Sequence, residues 1–233
     1  MKLLVISMSG GLDSTTLAIR ALEKGFTILP INIKYKQKHM VEIEAFKDII
    51  SYLNSRYKDR VYEPISIDIE PLFDNIVDIY SSMRDSGIIK KRTDLEYYTP
   101  SRNLLFSVIS TFIGETIAYF KDIDSVYIGL GIHKHKEYRN YWDITPEFAQ
   151  KLQELLSLND NIDIKLYTPY VDKYKKDIIE DVIKYSVPYK LTWTCYNPIK
   201  RDNTFYPCLE CEACHERESM SPITDINQYS KVL

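Results

Sequence analysis

The stretch LLVISMSGGLDSTT, residues 3–16, decides the fold. It begins with a short apolar run of the kind that forms a buried strand, and Gly10 and Gly11 then interrupt that run. Ser14 and Thr15 follow at the point where a helix is expected to begin. A strand, a glycine turn and a helix in this order direct backbone N–H groups and the positive end of a helix dipole to one point. The sequence therefore predicts an anion site directly after the first strand.

The residue types in this turn suit a polyphosphate. Gly10 and Gly11 allow close approach of the backbone. Hydroxyl donors are added by Ser9, Ser14 and Thr15. Asp13 would help to hold Mg²⁺ or would orient the loop. A Walker A loop is excluded because no Gly-Lys-Ser/Thr follows, and a glycine turn capped by its own polar residues is the structural alternative. The pattern SGGxDS resembles the pyrophosphate loop of enzymes that split ATP between its α- and β-phosphates and form adenylates.

Apolar runs alternate with helical patterns along the chain. This alternation predicts an α/β fold, a Rossmann-like, doubly wound and mainly parallel sheet whose ligands bind beyond the carboxyl ends of the strands. Gly25 is expected to end the first helix, and residues 70–99 form either a lid or a surface insertion. The predicted strands cover residues 3–7, 27–34, 63–69, 125–130 and 164–168. The predicted helices cover residues 14–24, 40–53, 102–120, 146–157 and 173–185.

Length and charge limit the classes of function. The 233 residues suffice for one main domain, expected over residues 1–190, and a small module over residues 191–233. The net charge of −3 argues against a general binder of nucleic-acid phosphates. No segment is expected to reach the roughly 20 apolar residues of a membrane span, and the N-terminus has no signal-peptide pattern. These observations predict a cytoplasmic protein without a membrane partner.

All four cysteines lie after residue 194, spaced as Cys195-x12-Cys208-x2-Cys211-x2-Cys214. In a reducing compartment this clustering favours a metal over disulfides. Four thiolates suit tetrahedral Zn²⁺ and leave no open position, so the predicted zinc is structural. A disulfide pair and an iron–sulfur cluster are the alternatives.

Three further segments are candidates for ligand binding. The sequence YTPSRN, residues 98–103, predicts a helix start at Pro100 and Ser101, and the arginine and asparagine of its first turn suit phosphate or carboxylate. Residues 35–39, with Glu42, follow the second strand, where a pocket role and an incidental one are equally supported. One lysine of residues 173–176 could reach a phosphate, although a solvated helix face is the alternative.

Two histidines give no prediction of a site. His133 and His135 have a spacing that suggests a metal, but no companion ligand is evident, so no metal site is predicted there.

Taken in order, these segments resemble the 7-cyano-7-deazaguanine synthase (QueC) family over nearly the whole chain. The run VPYKLTWTCY, residues 187–196, ahead of a CxxCxxCxxR tail ending at Arg217, is the most specific part of the resemblance. The other matching segments are residues 9–16, residues 35–39 with Glu42 and Glu44, residues 101–103, and Asp172 with Lys175.

The resemblance implies a reaction and a set of site residues. The carboxylate of 7-carboxy-7-deazaguanine is adenylated by ATP with Mg²⁺, ammonia gives the amide, and a second ATP drives dehydration to the nitrile. A homodimer with Zn²⁺ on the four cysteines is also implied. The implied catalytic residues are Asp13, Ser14, Arg102 and Lys175. The implied ATP-binding residues are Met8, Ser9, Gly10, Gly11, Leu12, Asp13, Ser14, Thr15, Arg102, Asn103 and Gly129. The implied substrate-binding residues are Tyr35, Gln37, His39, Glu42, Tyr141 and Asp143.

One loop departs from the family pattern. Where members carry a segment such as DYSGYPDCRPEF, this chain reads EYRNYWDITPEF over residues 137–148, which keeps Tyr141 and Asp143 but lacks the Asp-x-Ser and Cys-Arg elements. An altered acceptor site motivates a second hypothesis, a QueC-like enzyme of an anti-phage operon that joins an activated deazaguanine to an amine on a protein or another macromolecule. A third, a nucleotide- or tRNA-binding module without turnover, is opposed by the intact loop and the acidic charge.

Overall fold

The computed structural model describes residues 2–35, 40–72, 99, 101–134, 141–219 and 231–232. It confirms the predicted α/β fold with a parallel sheet of five strands in the order β3-β2-β1-β4-β5. The strands are β1 Leu3–Ser7, β2 Thr27–Lys34, β3 Ile65–Asp68, β4 Ser125–Gly129 and β5 Asp163–Tyr167. The helices are α1 Leu12–Glu23, α2 Met40–Tyr57, α3 Arg102–Lys121, α4 Pro146–Leu156, α5 Lys175–Lys184 and α6 Glu212–Glu218.

Most elements begin and end close to the predicted bounds, and β1 and β2 coincide with them. The helix α2 is the main exception, because it continues to Tyr57 rather than ending at Leu53. Both residues lie in the core, one helical turn apart, so the apolar face simply extends further than predicted. Gly25 has a φ of +83° and ends α1 as expected.

Both faces of the sheet are covered, as the alternation of β1 shows. Leu4 and Ile6 belong to the apolar cluster shared with α1, α2 and α5. Leu3 and Val5 point the other way, into the cluster that contains Ala118 of α3. A parallel sheet buried in this way forces its polar ligands to its carboxyl edge.

The strand order reverses between β1 and β4, which lie side by side in the centre of the sheet. In doubly wound sheets the crevice for a ligand opens at this point. The residues after β1 and those after β4 therefore face each other, and they include the predicted glycine loop.

The helix α3 corrects one expectation about apolar segments. It is long and apolar enough to cross a membrane by length and composition, with a mean hydropathy of 1.3, although no segment of that kind was expected. Its small residues Ser110, Gly114 and Ala118 pack against the sheet, where a Cβ on Gly114 would lie 3.2 Å from Ile128 and Val126 side chains. One face of this helix thus packs on the sheet, and the segment does not indicate a membrane protein.

The C-terminal part forms a second, smaller unit of structure. A three-stranded antiparallel sheet consists of β6 Ile199–Arg201, β7 Thr204–Tyr206 and β8 Lys231–Val232. Trp193, Cys195 and Cys214 are buried against Val41 and Ala45 of α2. The cysteine-bearing segment is thus fixed to the helix that follows β2.

Candidate active site

The glycine loop after β1 is held by the backbone of two distant segments. Gly10 has a φ of +92°, and a Cβ there would lie 2.4 Å from the Glu42 carbonyl oxygen and 2.9 Å from the Phe46 nitrogen. Any side chain would collide with α2, so only glycine fits. The Gly10 carbonyl accepts a hydrogen bond of 2.9 Å from the Trp193 N–H.

The start of α1 presents unpaired donors to the cavity. The first intrahelical hydrogen bond runs from the Thr15 N–H to the Gly11 carbonyl, so the N–H groups of Leu12, Asp13 and Ser14 have no intrahelical acceptor. The hydroxyls of Ser14 and Thr15 both donate to the Gly11 carbonyl, at 3.3 and 2.8 Å. They stabilise the turn, and the donors for an anion are the backbone N–H groups.

Asp13 lies at the centre of a charged cluster. The Lys175 ammonium donates to both carboxylate oxygens, at 2.6 and 2.7 Å, and His133 Nε2 lies 3.5 Å away. Burial by itself would raise the pKa of Asp13, but Lys175 and His133 hold it well below its usual range. Glu216 of α6 lies 3.8 Å from the same lysine. Burial by itself would lower the pKa of Lys175, but the carboxylates of Asp13 and Glu216 raise it above its usual value.

His133 was given no role from the sequence, and the structure places it inside the cavity. Its Nδ1 lies 3.0 Å from the Lys134 carbonyl oxygen. Burial lowers the pKa of His133, yet the bond to Asp13 outweighs burial and raises it. The metal reading stays unsupported, because the described residues contain one potential metal cluster and it consists of cysteines. His135 lies outside the described residues.

The start of α3 is capped from a distant part of the chain. Ser101 was expected to cap this helix, but it adopts a φ of +54° and makes no capping hydrogen bond. The buried Asp143 accepts a hydrogen bond of 2.9 Å from the Asn103 N–H instead. Arg102 projects into the cavity, where it donates to the Tyr35 hydroxyl at 3.3 Å. The arginine therefore has a defined position beside an anion site.

Glu42 lies in the first turn of α2, is half-buried, and lines the cavity. Burial raises its pKa to about 7, and the attraction of Arg102 offsets part of that effect. A carboxyl group in a cavity whose pKa lies near neutral pH is a candidate for proton transfer.

One cavity of about 970 Å³ brings these groups together. Gly129 does not line the cavity, because it lies within β4 against Leu4 and Ile6. Gly131 lines it instead, and a Cβ on Gly131 would lie 3.4 Å from the Ser14 nitrogen. Gln37 and His39 lie outside the described residues. The predicted site residues on its wall are Met8, Ser9, Gly11, Leu12, Asp13, Ser14, Tyr35, Glu42, Arg102, Asn103, Tyr141, Asp143 and Lys175.

Sequence reasoning missed one wall of this cavity, which the C-terminal module supplies. Tyr196, Glu212 and Glu216 line it. Their only signal in the sequence is that they lie beside the cysteines, and the cysteine spacing predicts a metal site rather than a wall of the cavity.

The helix α6 connects the cysteines to the loop. Its Arg217 is buried and donates to the Tyr189 carbonyl at 2.6 Å and to the Thr194 hydroxyl at 2.7 Å, which fixes the segment that carries Trp193. Trp193 in turn holds Gly10, and Glu216 faces Lys175. The position of α6 therefore affects both sides of the anion site.

The four cysteine sulfurs lie within 4.8 Å of one another and could hold a metal ion. Cys208 Sγ is 3.6 Å from Cys195 Sγ and 3.9 Å from Cys214 Sγ. A tetrahedral ion with bonds of about 2.3 Å places its sulfur ligands about 3.8 Å apart, so the cage fits one such ion. All four thiols are free, and a disulfide would need sulfurs about 2.0 Å apart.

The fold and the site define an α/β protein with a glycine loop beside a cavity, at the reversal of a doubly wound sheet, and with a four-cysteine cluster near it. The sequence model of one family, described as "Queuosine biosynthesis protein QueC", matches residues 3–221, and the chain belongs to that family. The assignment indicates an ATP-using synthase or ligase.

Curated relatives agree with this assignment. The 7-cyano-7-deazaguanine synthase of Picrophilus torridus is 33% identical over 215 residues, which cover 90% of this chain and 83% of that protein. The synthase of the same name from Nautilia profundicola is 33% identical over 224 residues, covering 93% and 92%. Among solved structures, NMN synthetase from Francisella tularensis matches with a TM-score of 0.42 and 15% identity over 81% of this chain and 63% of that one, a likeness too low to bear on function.

Proposed function

We propose that this chain is an ATP-dependent ligase that adenylates the carboxylate of 7-carboxy-7-deazaguanine and converts it with ammonia, through the amide, to 7-cyano-7-deazaguanine. The product would serve queuosine-type nucleoside synthesis. The observation that carries the proposal is the Asp13–Lys175 pair beside the free N–H groups of α1, within the cavity of a member of the QueC family.

The geometry suits the first half of this reaction. A carboxylate does not lose hydroxide to ammonia at a useful rate, whereas AMP is a good leaving group. The substrate carboxylate attacks the α-phosphorus of ATP, the bond to the bridging oxygen breaks, and pyrophosphate leaves. The N–H groups after Gly11, together with Lys175, would stabilise the negative charge that moves onto the departing phosphates. Mg²⁺ would supply further charge neutralisation on the same phosphates.

The other predicted residues have roles consistent with this scheme. Arg102 and Asn103 at the start of α3 would bind phosphate or the substrate carboxylate. Tyr35, Tyr141 and Asp143 line the same cavity as Arg102, and they would hold the deazaguanine ring. Glu42, on the wall of the same cavity, would face the substrate near its carboxylate.

The proposal is tested by identifying the deazaguanine product. The purified chain is incubated with 7-carboxy-7-deazaguanine, ATP, Mg²⁺ and ammonia, and the products are separated and weighed by mass spectrometry. We expect the nitrile as the product, with two AMP formed for each nitrile. A reaction that consumes no carboxylate under these conditions would contradict the proposal.

A macromolecular amine is the second candidate acceptor, and the departure of residues 137–148 from the family pattern favours it. The same assay distinguishes the two. An adenylate or amide that forms without nitrile, and a mass increase on a co-encoded protein, would replace the first proposal with the second.

We propose Zn²⁺ as the ion of the four-cysteine centre, because a single tetrahedral thiolate site with no open position suits zinc. Bound there, it would stabilise a segment too small to form its own core. We expect about one zinc per chain by metal analysis. Iron at a comparable ratio, or a variant Cys214→Ser that keeps both its zinc and its melting temperature, would contradict this assignment.

Three further predictions stay proposals. We place a domain boundary near residue 190, ahead of Trp193, so that residues 1–190 bind ATP and residues 191–233 form the zinc module. We also propose a homodimer and a cytoplasmic location. Light scattering and fractionation of cells test the last two.

A further inference from the structure

We propose that Glu42 is the proton acceptor for the attacking nitrogen when the activated carboxylate becomes an amide. The inference deepens the proposed function and rests on it. Glu42 lines the cavity beside Arg102, and it differs in its contacts from the other carboxylates there.

Glu42 lies between the two halves of the site. Its backbone carbonyl is so close to the glycine loop that a Cβ on Gly10 would lie 2.4 Å from it. Its side chain lines the cavity near Arg102, which is itself bonded to Tyr35. A group in this position has the phosphate loop on one side and the proposed carboxylate-binding arginine on the other.

Within the described part of the chain, the Glu42 carboxylate holds no other group in place. Among the described residues it makes no hydrogen bond and no ion pair, and the charge that acts on it is that of Arg102. The described titratable groups that interact with it are Arg102 of α3 and Tyr196 of the C-terminal module. Burial raises the pKa of Tyr196 most, and Glu216, Glu212 and Glu42 raise it further. A carboxylate with free lone pairs toward a cavity can accept a proton without breaking a structural contact.

Three other carboxylates of the cavity are already engaged, and one of them, Glu216, lies 3.8 Å from Lys175. Asp13 is bonded to Lys175 and His133, and Asp143 caps α3 at Asn103. The low pKa of Asp13 also makes it a weak base. Glu42 has its pKa raised to about 7, where a base is both available and strong enough at neutral pH.

The chemical step balances with this assignment. The nitrogen of ammonia forms a bond to the carboxyl carbon, the bond from that carbon to the phosphate oxygen breaks, and AMP leaves with the electron pair. The nitrogen then carries one proton too many for a neutral amide. Glu42 takes that proton and becomes a neutral carboxylic acid.

The experiment separates activation of the carboxylate from attack by nitrogen. For Glu42→Gln and the wild type, exchange of labelled pyrophosphate into ATP is measured with 7-carboxy-7-deazaguanine and without ammonia. Amide formation is then measured in a single turnover over a range of pH, with each rate divided by the concentration of unprotonated ammonia. We expect exchange in E42Q within about threefold of wild type and amide formation at least about 100-fold slower.

The pH profile gives a second test. A base with a raised pKa is protonated below that value, so the wild-type rate per unprotonated ammonia is expected to fall as the pH drops below about 7. The fall is absent in E42Q. Glu42→Asp, which keeps a carboxylate, is expected to recover part of the rate and all of the pH dependence.

Asp48→Asn is the matched control, because Asp48 is an exposed carboxylate on the same helix. It should behave as wild type in both assays. Equal losses of exchange and amide formation in E42Q, or no loss in either, would overturn the assignment of Glu42. Wild-type protein that shows no carboxylate-dependent exchange would overturn the proposed function instead.

Discussion

Two helices begin at the walls of the same cavity, and their starts are built in different ways. The turn at the start of α1 is formed by nearby residues, Gly10, Gly11 and the hydroxyls of Ser14 and Thr15, although α2 and Trp193 also pack against it. The start of α3 depends on Asp143, which is distant in sequence and accepts the hydrogen bond of the Asn103 N–H. A local turn can be recognised from its residues, whereas a cap from elsewhere cannot.

The difference also concerns the ligand. In the described part of the chain, the N–H groups of Leu12, Asp13 and Ser14 are available to an anion, because the hydroxyls of Ser14 and Thr15 bond to the Gly11 carbonyl. The start of α3 has one N–H already occupied by a carboxylate, and its ligand-binding group is the Arg102 side chain. The first is suited to polyphosphate, and the second places a guanidinium beside it.

The largest effect is expected from Asp13→Ala, which removes the carboxylate between Lys175 and His133. The lysine loses its only close pair of hydrogen bonds in the described part of the chain, and its position over the loop is no longer fixed. We expect turnover to fall about 1,000-fold or more while the circular dichroism spectrum stays that of a folded protein.

Asp163→Ala is the control for Asp13, since it removes an exposed carboxylate paired with Lys165 on β5. It should retain wild-type turnover. An unfolded Asp13→Ala protein would assign Asp13 a structural role, and a variant that turns over normally would remove it from the mechanism.

Gly10→Ala breaks the local start directly. The new Cβ would collide with the backbone of α2 at Glu42 and Phe46 and would need a positive φ. We expect a loss of about 2 to 3 kcal/mol in the free energy of unfolding and about 100-fold in turnover. Urea denaturation and steady-state kinetics measure the two.

Gly25→Ala is a matched control, because Gly25 also has a positive φ but its Cβ would meet nothing within 4 Å. We expect a cost of about 1 kcal/mol and unchanged kinetics. If the two glycine variants behave alike, the close contact of the loop with α2 is not what requires Gly10.

Asp143→Ala breaks the start of α3. Loss of its hydrogen bond to the Asn103 N–H should cost about 1 kcal/mol of stability and displace Arg102. We expect the KM for the carboxylate substrate to rise about tenfold with a smaller change in kcat. Asp143→Asn, which keeps an acceptor oxygen, should recover most of the loss, and failure to do so would mean that charge rather than capping matters.

The smallest effect is expected from His133→Gln. Asp13 keeps both hydrogen bonds to Lys175, and of the contacts to Asp13 the variant removes the one at 3.5 Å. We expect kcat to fall about fivefold with little change in stability. A loss as large as that of Asp13→Ala would show that His133, rather than Lys175, is the main partner of the carboxylate.

The sequence was sufficient for most of the fold. The bounds of β1 and β2, the end of α1 at Gly25 and the clustering of the cysteines follow from local patterns, and the structure confirms them. The extent of α2 was missed because an apolar face gives no local stop signal before Tyr57.

The site could be predicted only in part, since contacts between distant residues decide the rest. His133 had no visible companion ligand in sequence, and its partner Asp13 lies after a different strand. The hydrogen bond that caps α3 likewise comes from Asp143 rather than from Ser101. Gly129 and Gly131 could not be told apart as wall residues without knowing where β4 ends.

We propose that the loop at the start of α1 positions ATP for cleavage between its α- and β-phosphates. Phosphorus NMR of a reaction with 7-carboxy-7-deazaguanine, ATP, Mg²⁺ and ammonia tests it most directly, because it distinguishes the nucleotide products. We expect AMP and pyrophosphate in equal amounts, formed only when 7-carboxy-7-deazaguanine is present. ADP and inorganic phosphate as the products would contradict it.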